Sequence, residues 1–164
     1  MLRVGLISDT HGILQPEARA FLHGSDFIVH AGDICDPSIL EELATIAPLT
    51  AVRGNCDQGT WAESLNETEI LQTGELFVYA IHNLARIDIV PNSAGIHVVV
   101  SGHTHKPLIE ERHGVLFVNP GSSGRRGRGH PSSLGELIVQ GQSASANIVE
   151  LNGLDSAQKR HQHS

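Results

Sequence analysis

The chain has 164 residues, a formal net charge of −7 at pH 7, and 40% hydrophobic but only 4% aromatic residues. That length suits one domain with a mainly aliphatic core. The acidic balance argues against general affinity for nucleic-acid backbone or anionic membrane, yet it leaves room for a small phosphorylated substrate beside bound divalent cations.

Residues Leu2–Ile7 read as a buried strand that ends at once in Ser8-Asp9-Thr10-His11. Residues 15–23 have helical composition, with Pro16 suited to the first turn. A second strand, 27–29, runs into His30-Ala31-Gly32-Asp33, and Asp36 then reads as an N-cap before Pro37, with Ile39, Leu40, Leu43 and Ile46 forming an apolar face. A third strand, 50–52, leads to Arg53-Gly54-Asn55-Cys56-Asp57. Strand, helix, strand, helix, strand is the βαβ signature. Residues 67–71 and 75–81 flank Thr73-Gly74 as a hairpin whose second strand ends at His82. Asp88 is expected to cap a short helix through Ala94, with Pro91 in its first turn. Strand 96–100 then delivers Ser101-Gly102-His103-Thr104-His105, and strands follow at Leu108–Arg112, 115–118, 134–139 and 144–151. The expectation is an α/β fold with a mixed sheet system, parallel early and antiparallel late, in one domain over residues 1–151, and a polar tail over 152–164. No apolar run reaches the ~20 residues of a membrane span, and the chain opens on a strand with no basic-then-apolar leader. Two cysteines make no disulfide framework, and a cytoplasmic setting is expected. Cys35 is read as a small, partly buried thiol.

Five of these strands end in side chains able to bind metal: Asp9, His11, Asp33, Asn55, His82, His103 and His105. Functional groups gather where loops leave the carboxyl ends of strands in open α/β sheets. Singly, Asp9 or Asn55 is an ordinary turn residue, Asp33 a helix-entry residue, and His82 a satisfied core histidine. Together they point to one polynuclear metal centre. Two divalent ions at ~3.5–4 Å need an anionic bridge to offset their repulsion, and Asp33, between the two groups of donors, is the expected bridge. Mixed oxygen and nitrogen donors without thiolate favour a transition metal over Ca²⁺. Gly32, Gly54 and Gly102 each precede a proposed ligand, where positive φ and close backbone approach suit a crowded loop.

The ordered set Asp9-Thr10-His11, Gly32-Asp33, Gly54-Asn55-Cys56-Asp57, His82, Gly102-His103-Thr104-His105 and Asn119-Pro120-Gly121-Ser122 resembles the calcineurin-like metallophosphoesterase superfamily. The closer match is to its small YfcE-like phosphodiesterases. The resemblance implies a mixed β-sheet sandwich flanked by helices. It also implies two divalent ions, Mn²⁺ favoured with Zn²⁺, Fe²⁺ or Ni²⁺ as alternatives. Asp9, His11, Asp33 and His105 would hold one ion, and Asp33, Asn55, His82 and His103 the other, with Asp33, Asn55 and His82 expected to be catalytic as well. The implied activity is hydrolysis of a small phosphodiester through a metal-bridging hydroxide. The alternative is a weakly active or inactive scaffold of the same fold that recognises other proteins; a homo-oligomer stays open, and membrane or nucleic-acid partners are not expected. Two positions depart from the superfamily. Cys56 replaces a common histidine, which leaves the general acid unassigned, and Asn83 stands where glycine is usual, so a left-handed backbone is expected there. Arg125 and Arg126, with Arg128 nearby, are candidate substrate-binding residues, because guanidinium forks match phosphate oxygens; the alternative is a solvated Gly-rich loop, since such charge runs are often only solvated. His30 has no assigned face and is read as a core or supporting residue.

Overall fold

Strand β1 (Leu2–Ile7) carries apolar side chains on both faces, and the layers of the molecule follow from what each face meets. Val4 and Leu6 point into an all-aliphatic layer with Val29, Val78, Val98, Val100 and Val139. Ile7 points the other way, into a layer with Leu22, Ile28 and Leu43. In the computed structural model, which describes residues 1–124 and 131–151, these layers separate two five-stranded sheets from each other and one of those sheets from its helices.

The first sheet contains β1, β2 (Phe27–His30), β3 (Leu49–Ala51), β9 (Ser133–Gln140) and β10 (Ser143–Glu150), in the order β10-β9-β1-β2-β3. Its first three strands are parallel, and β9 and β10 add antiparallel. The second sheet contains β4 (Thr68–Thr73), β5 (Leu76–Ile81), β6 (Val98–Val100), β7 (Leu108–Arg112) and β8 (Val115–Asn119), in the order β4-β5-β6-β8-β7. Here β5, β6 and β8 are parallel, with an antiparallel strand at each edge. The direction change expected along the chain is therefore repeated within each sheet. The second parallel core arises because β7 goes to the edge, so that β8 can return beside β6.

Helices α1 (Pro16–Leu22) and α2 (Pro37–Ala44) cover the outer face of the first sheet through Ala18, Leu22, Ile39 and Leu43. Asp36 caps α2 as the sequence predicts, accepting a hydrogen bond from the Ser38 N–H at 2.9 Å with Pro37 behind it. A one-turn helix, α3 (Thr60–Glu63), follows β3 and has no sequence signal beyond Gly59. The outer face of the second sheet is covered by Leu84, Ile87 and Ile89 packed on Tyr79, Val99 and Phe117. This corrects one expectation. No helix runs from Asp88 to Ala94; a 3-10 turn, Leu84–Arg86, comes earlier, and turns closed by the Ala94 and Ile96 N–H groups on the Pro91 carbonyl follow. The alternating Ile87 and Ile89 serve an extended segment lying on the sheet, and that packing overrides the capping signal of Asp88.

Candidate metal centre

The seven proposed ligands come from both sheets and meet at one place. Asp9 and His11 follow β1, Asp33 follows β2 and Asn55 follows β3, while His82 follows β5 and His103 and His105 follow β6. The loops continue the parallel pairing of the strands that deliver them. Asp9 N donates to the Gly32 carbonyl at 2.9 Å, His11 N to that of Asp33 at 3.0 Å, and Gly102 N to that of His82 at 3.0 Å.

Asp9 is fully buried, and its two oxygens have different surroundings. Oδ2 accepts from the Ser8 hydroxyl at 2.6 Å and from the His103 N–H at 3.1 Å. Oδ1 is buried without a hydrogen-bond partner, and it faces the Nε2 atoms of His105 at 3.3 Å, His11 at 3.7 Å and His82 at 4.0 Å. A buried carboxylate oxygen left unpaired costs about 1–3 kcal/mol or more. The Nε2 atoms of His11 and His105 also face each other at 3.3 Å. A cation among these atoms would satisfy all of them.

The tautomer of His82 is fixed from behind. Its Nδ1 lies 2.7 Å from the Ala31 carbonyl, which can only accept, so Nδ1 carries a proton and Nε2 turns to the centre. There Nε2 meets the Asn55 Oδ1 at 3.0 Å and the Asp33 Oδ2 at 3.3 Å, and His103 Nδ1 approaches the same Asn55 oxygen at 3.3 Å. Asp33 divides its oxygens much as Asp9 does. Oδ1 accepts from the Cys56 N–H at 2.9 Å, whereas Oδ2 lies between His82 and His11, 3.9 Å from the latter. Asp9, His11 and His105 form one close donor group and Asp9, Asp33 and His82 a second, while His11 also stands with the thiols of Cys35 and Cys56. Asp9 is thus common to both carboxylate triads, while the Asp33 Oδ2 faces an imidazole of each. The donor set fits divalent cations.

The charges agree with this. Burial opposes ionisation of Asp33, but His82, the Cys56 N–H and His11 outweigh it and hold the carboxyl far below the usual range. Asp9 is likewise lowered, with burial overcome by His11, Ser8 and two further imidazoles. His11 is raised chiefly by Asp9. His82 is raised although burial opposes it, because Asp33 and Asp9 face its ring. Without metal, the two carboxylates favour protons on the imidazoles that face them, and those imidazoles favour the ionised carboxylates.

Several supporting residues escaped the sequence reading. Asp57, the last residue of the Gly-Asn-Cys-Asp segment, is buried and takes no part in the donor cluster. Its carboxylate accepts from the backbone N–H groups of Asp33 (3.0 Å), Ile34 (2.8 Å), Cys35 (2.9 Å) and Gly54 (2.8 Å), and so ties the Asp33 loop to the Asn55 loop. Its spacing from Asn55 was the available signal. His30 lies in the core as expected, pushed down to about 4 by burial. Its Nδ1 accepts from Gly32 N at 3.1 Å, and Nε2 contacts the Thr10 hydroxyl at 3.0 Å. Asn119 donates to the Gly102 carbonyl at 2.9 Å, and Ser122 to that of Asp9 at 2.8 Å, which gives the Asn-Pro-Gly-Ser segment a bracing role.

Three local expectations are revised. Asn83 is extended (φ −108°), and its side chain accepts from the Ala85 N–H to start the 3-10 turn, so no left-handed residue is needed after His82. Cys35 is exposed, as is Cys56, and its thiol, in a loop at φ +69°, lies 3.8 Å from His11 Nδ1. Gly32 has the expected positive φ (+100°), but Gly54 and Gly102 serve close approach alone; a Cβ at Gly102 would collide with the Ser8 hydroxyl and the Asp9 carboxylate. Arg125, Arg126 and Arg128 lie outside the described residues.

Residues 2–141 match the model of the calcineurin-like phosphoesterase superfamily domain. The chain belongs to that superfamily. It is 35% identical over 158 residues, 89% of this chain and 91% of the other, to a protein named "Probable metallophosphoesterase" from Methanothermobacter thermautotrophicus. It is 28% identical to phosphodiesterase YfcE of Escherichia coli K12, over 84% of this chain and 88% of that protein. The fold also matches the crystal structure of Entamoeba histolytica Vps29 complexed with Zn²⁺, with a TM-score of 0.70, 21% identity, and coverage of 92% of this chain and all of that one. The resemblance in the motifs and the two-sheet architecture therefore agree, and the chain is a member of a phosphoesterase family.

Proposed function

We propose that the chain is a dinuclear-metal-dependent phosphodiesterase acting on a small substrate. The observation that carries this is the buried Asp9 Oδ1, without a hydrogen-bond partner and faced by three imidazole nitrogens within 4.0 Å. Asp9, His11, Asp33 and His105 would hold one divalent ion, and Asp33, Asn55, His82 and His103 the other, Mn²⁺ being favoured and Zn²⁺, Fe²⁺ or Ni²⁺ compatible with the same donors. When bound, such a pair polarises ester oxygens and lowers the pKa of a water in line with the scissile bond.

The chain's own part is to orient and to compensate charge. The Cys56 N–H occupies Oδ1 of Asp33 and leaves Oδ2 turned toward His82 and His11, so Asp33 is the residue that would be shared by the two ions. The Ala31 carbonyl keeps His82 in the one tautomer that can coordinate through Nε2. The four N–H groups on Asp57 fix the spacing of the Asp33 and Asn55 loops, so the donors need little rearrangement on binding. His11 and Asn55 are exposed, and the substrate phosphate approaches from that side.

A scaffold without catalysis would have no need to keep all seven donors, so the complete set supports the enzyme. No described helix is long and apolar enough to cross a membrane, and the proposed setting is the cytoplasm. The test is metal analysis after chelation and reloading, together with hydrolysis of an aryl phosphodiester and the matching monoester. Two ions per chain and faster diester turnover are expected; one ion or none under saturating Mn²⁺ and Zn²⁺ would reject the dinuclear reading.

A further inference from the structure

A cavity of about 440 Å³ opens beside the Asn55–His82–His103 side of the centre. Its far walls carry two guanidinium groups, Arg53 and Arg86, and two carboxylates, Glu67 and Asp88. Arg53 is paired with Glu67 at 3.7 Å. Arg86 and Asp88 form no ion pair of 4.0 Å or less among the described residues. Arg86 is placed by the departure at Asn83. The Asn83 side chain accepts from Ala85 N at 3.1 Å and its carbonyl from Arg86 N at 3.0 Å, and this 3-10 turn sets Arg86 on the rim.

The wall charges cancel, and this restricts what the cavity can select. An anionic substituent would meet Glu67 and Asp88, and a cationic one Arg53 and Arg86. An apolar substituent would gain contact with Ile81 but strip water from the charged groups around it. A hydroxyl both donates and accepts, so vicinal hydroxyls can answer a guanidinium and a carboxylate together. Resting on the phosphodiesterase reading above, we propose that this cavity is a substrate subsite for a neutral, hydroxyl-rich ester substituent of glycerol or sugar type, with Arg86 and Asp88 as its specificity-determining residues.

The test uses metal-loaded protein and four 4-nitrophenyl phosphodiesters of similar size, whose second substituent is n-propyl, 2,3-dihydroxypropyl, choline or 2-carboxyethyl. The dihydroxypropyl ester should lead the propyl ester by about tenfold in kcat/KM, the range of one or two hydrogen bonds to charged groups. The variants should move selectivity in opposite directions. Arg86→Ala leaves the wall net negative and should raise the choline ester relative to the carboxyethyl ester; Asp88→Ala should do the reverse. A merely structural role for either residue would lower all four rates together. Turnover of all four esters with flat selectivity, or variants that leave the ratios unchanged, overturns the subsite while leaving the phosphodiesterase reading intact. If no ester is hydrolysed, that reading fails, and calorimetry decides the subsite alone. Glycerol 1-phosphate should bind more tightly than propyl phosphate, with the preference lost in both variants, and equal affinities overturn the inference.

Discussion

At the scale of single residues, the centre separates side chains that would face a metal from side chains that hold their loops. Asp33 and Cys56 are joined by a hydrogen bond from the Cys56 N–H, so a Cys56→Ala change keeps that bond while removing only the thiol. Asp33→Asn, in contrast, removes the charge shared between the two donor groups. Steady-state assay with saturating metal should therefore show loss of at least about a hundredfold for Asp33→Asn, equivalent to ~2.7 kcal/mol, and a much smaller loss for Cys56→Ala. If Cys56→Ala abolishes turnover with metal content and fold intact, the thiol takes part in the chemistry. Asp57 gives the opposite kind of prediction. Asp57→Ala strands four N–H groups, three of them buried, and denaturant titration should show destabilisation of about 3 kcal/mol or more even in metal-free protein. The donors were legible in the sequence because each is a chemically distinctive residue next to an apolar run. Asp57 was not given a role because its partners are backbone groups, which leave no trace in residue type.

The strand-end loops show how such donors are crowded into one small volume. Asp9 (φ 52°), His11 (47°), Asp33 (58°), His103 (72°) and His105 (64°) all sit in the left-handed region. Asp and His tolerate it better than most residues, yet each such residue costs about 1–3 kcal/mol unless its surroundings enforce it. The enforcement is visible in the paired loop backbones and in the braces from Asp57, Asn119 and Ser122. Turning the backbone left-handed at alternate residues lets Asp9 and His11, or His103 and His105, address one centre from one loop. Gly102 is the tightest point, since its missing side chain admits Ser8 and Asp9. Gly102→Ala should reduce bound metal severalfold by elemental analysis, whereas Gly114→Ala, at the turn between β7 and β8, should cost stability through its φ of +78° without lowering bound metal. Strands and the two long helices were readable from apolar runs and the Asp36–Pro37 cap. Residues 88–94 were misread because Ile87 and Ile89 serve a sheet face, a contact between elements that local pattern cannot reveal.

At the scale of the whole molecule, metal and protons compete for the same charges. His11 and His82 are raised above the ordinary value of 6.5, so in metal-free protein their protonated forms stabilise the fold below that pH, and the contribution is lost as pH rises through the raised values. Asp9 and Asp33 are lowered, so their contribution is complete above the ordinary carboxylate range and disappears only in strong acid. Thermal melts of chelated protein should accordingly fall in Tm from pH 7 to pH 8, above the range in which His30, pushed down to about 4, adds stability as pH rises through 6.5. Metal should stabilise progressively more over the same interval, because coordination requires the unprotonated nitrogens. Identical pH profiles with and without metal would contradict the assignment. Activity should fall as pH drops through the histidine range, and excess metal should restore only the part due to release. The two-sheet origin of the donors also bears on local opening. Four donors stand on the loops of one sheet and three on those of the other, so an ion coordinated by both spans the seam between them. Such an ion would tie the loops of one sheet to those of the other. Amide deuteration of residues 31–34 and 101–105, one stretch from the loops of each sheet, should therefore slow together when metal is loaded and recover together on chelation.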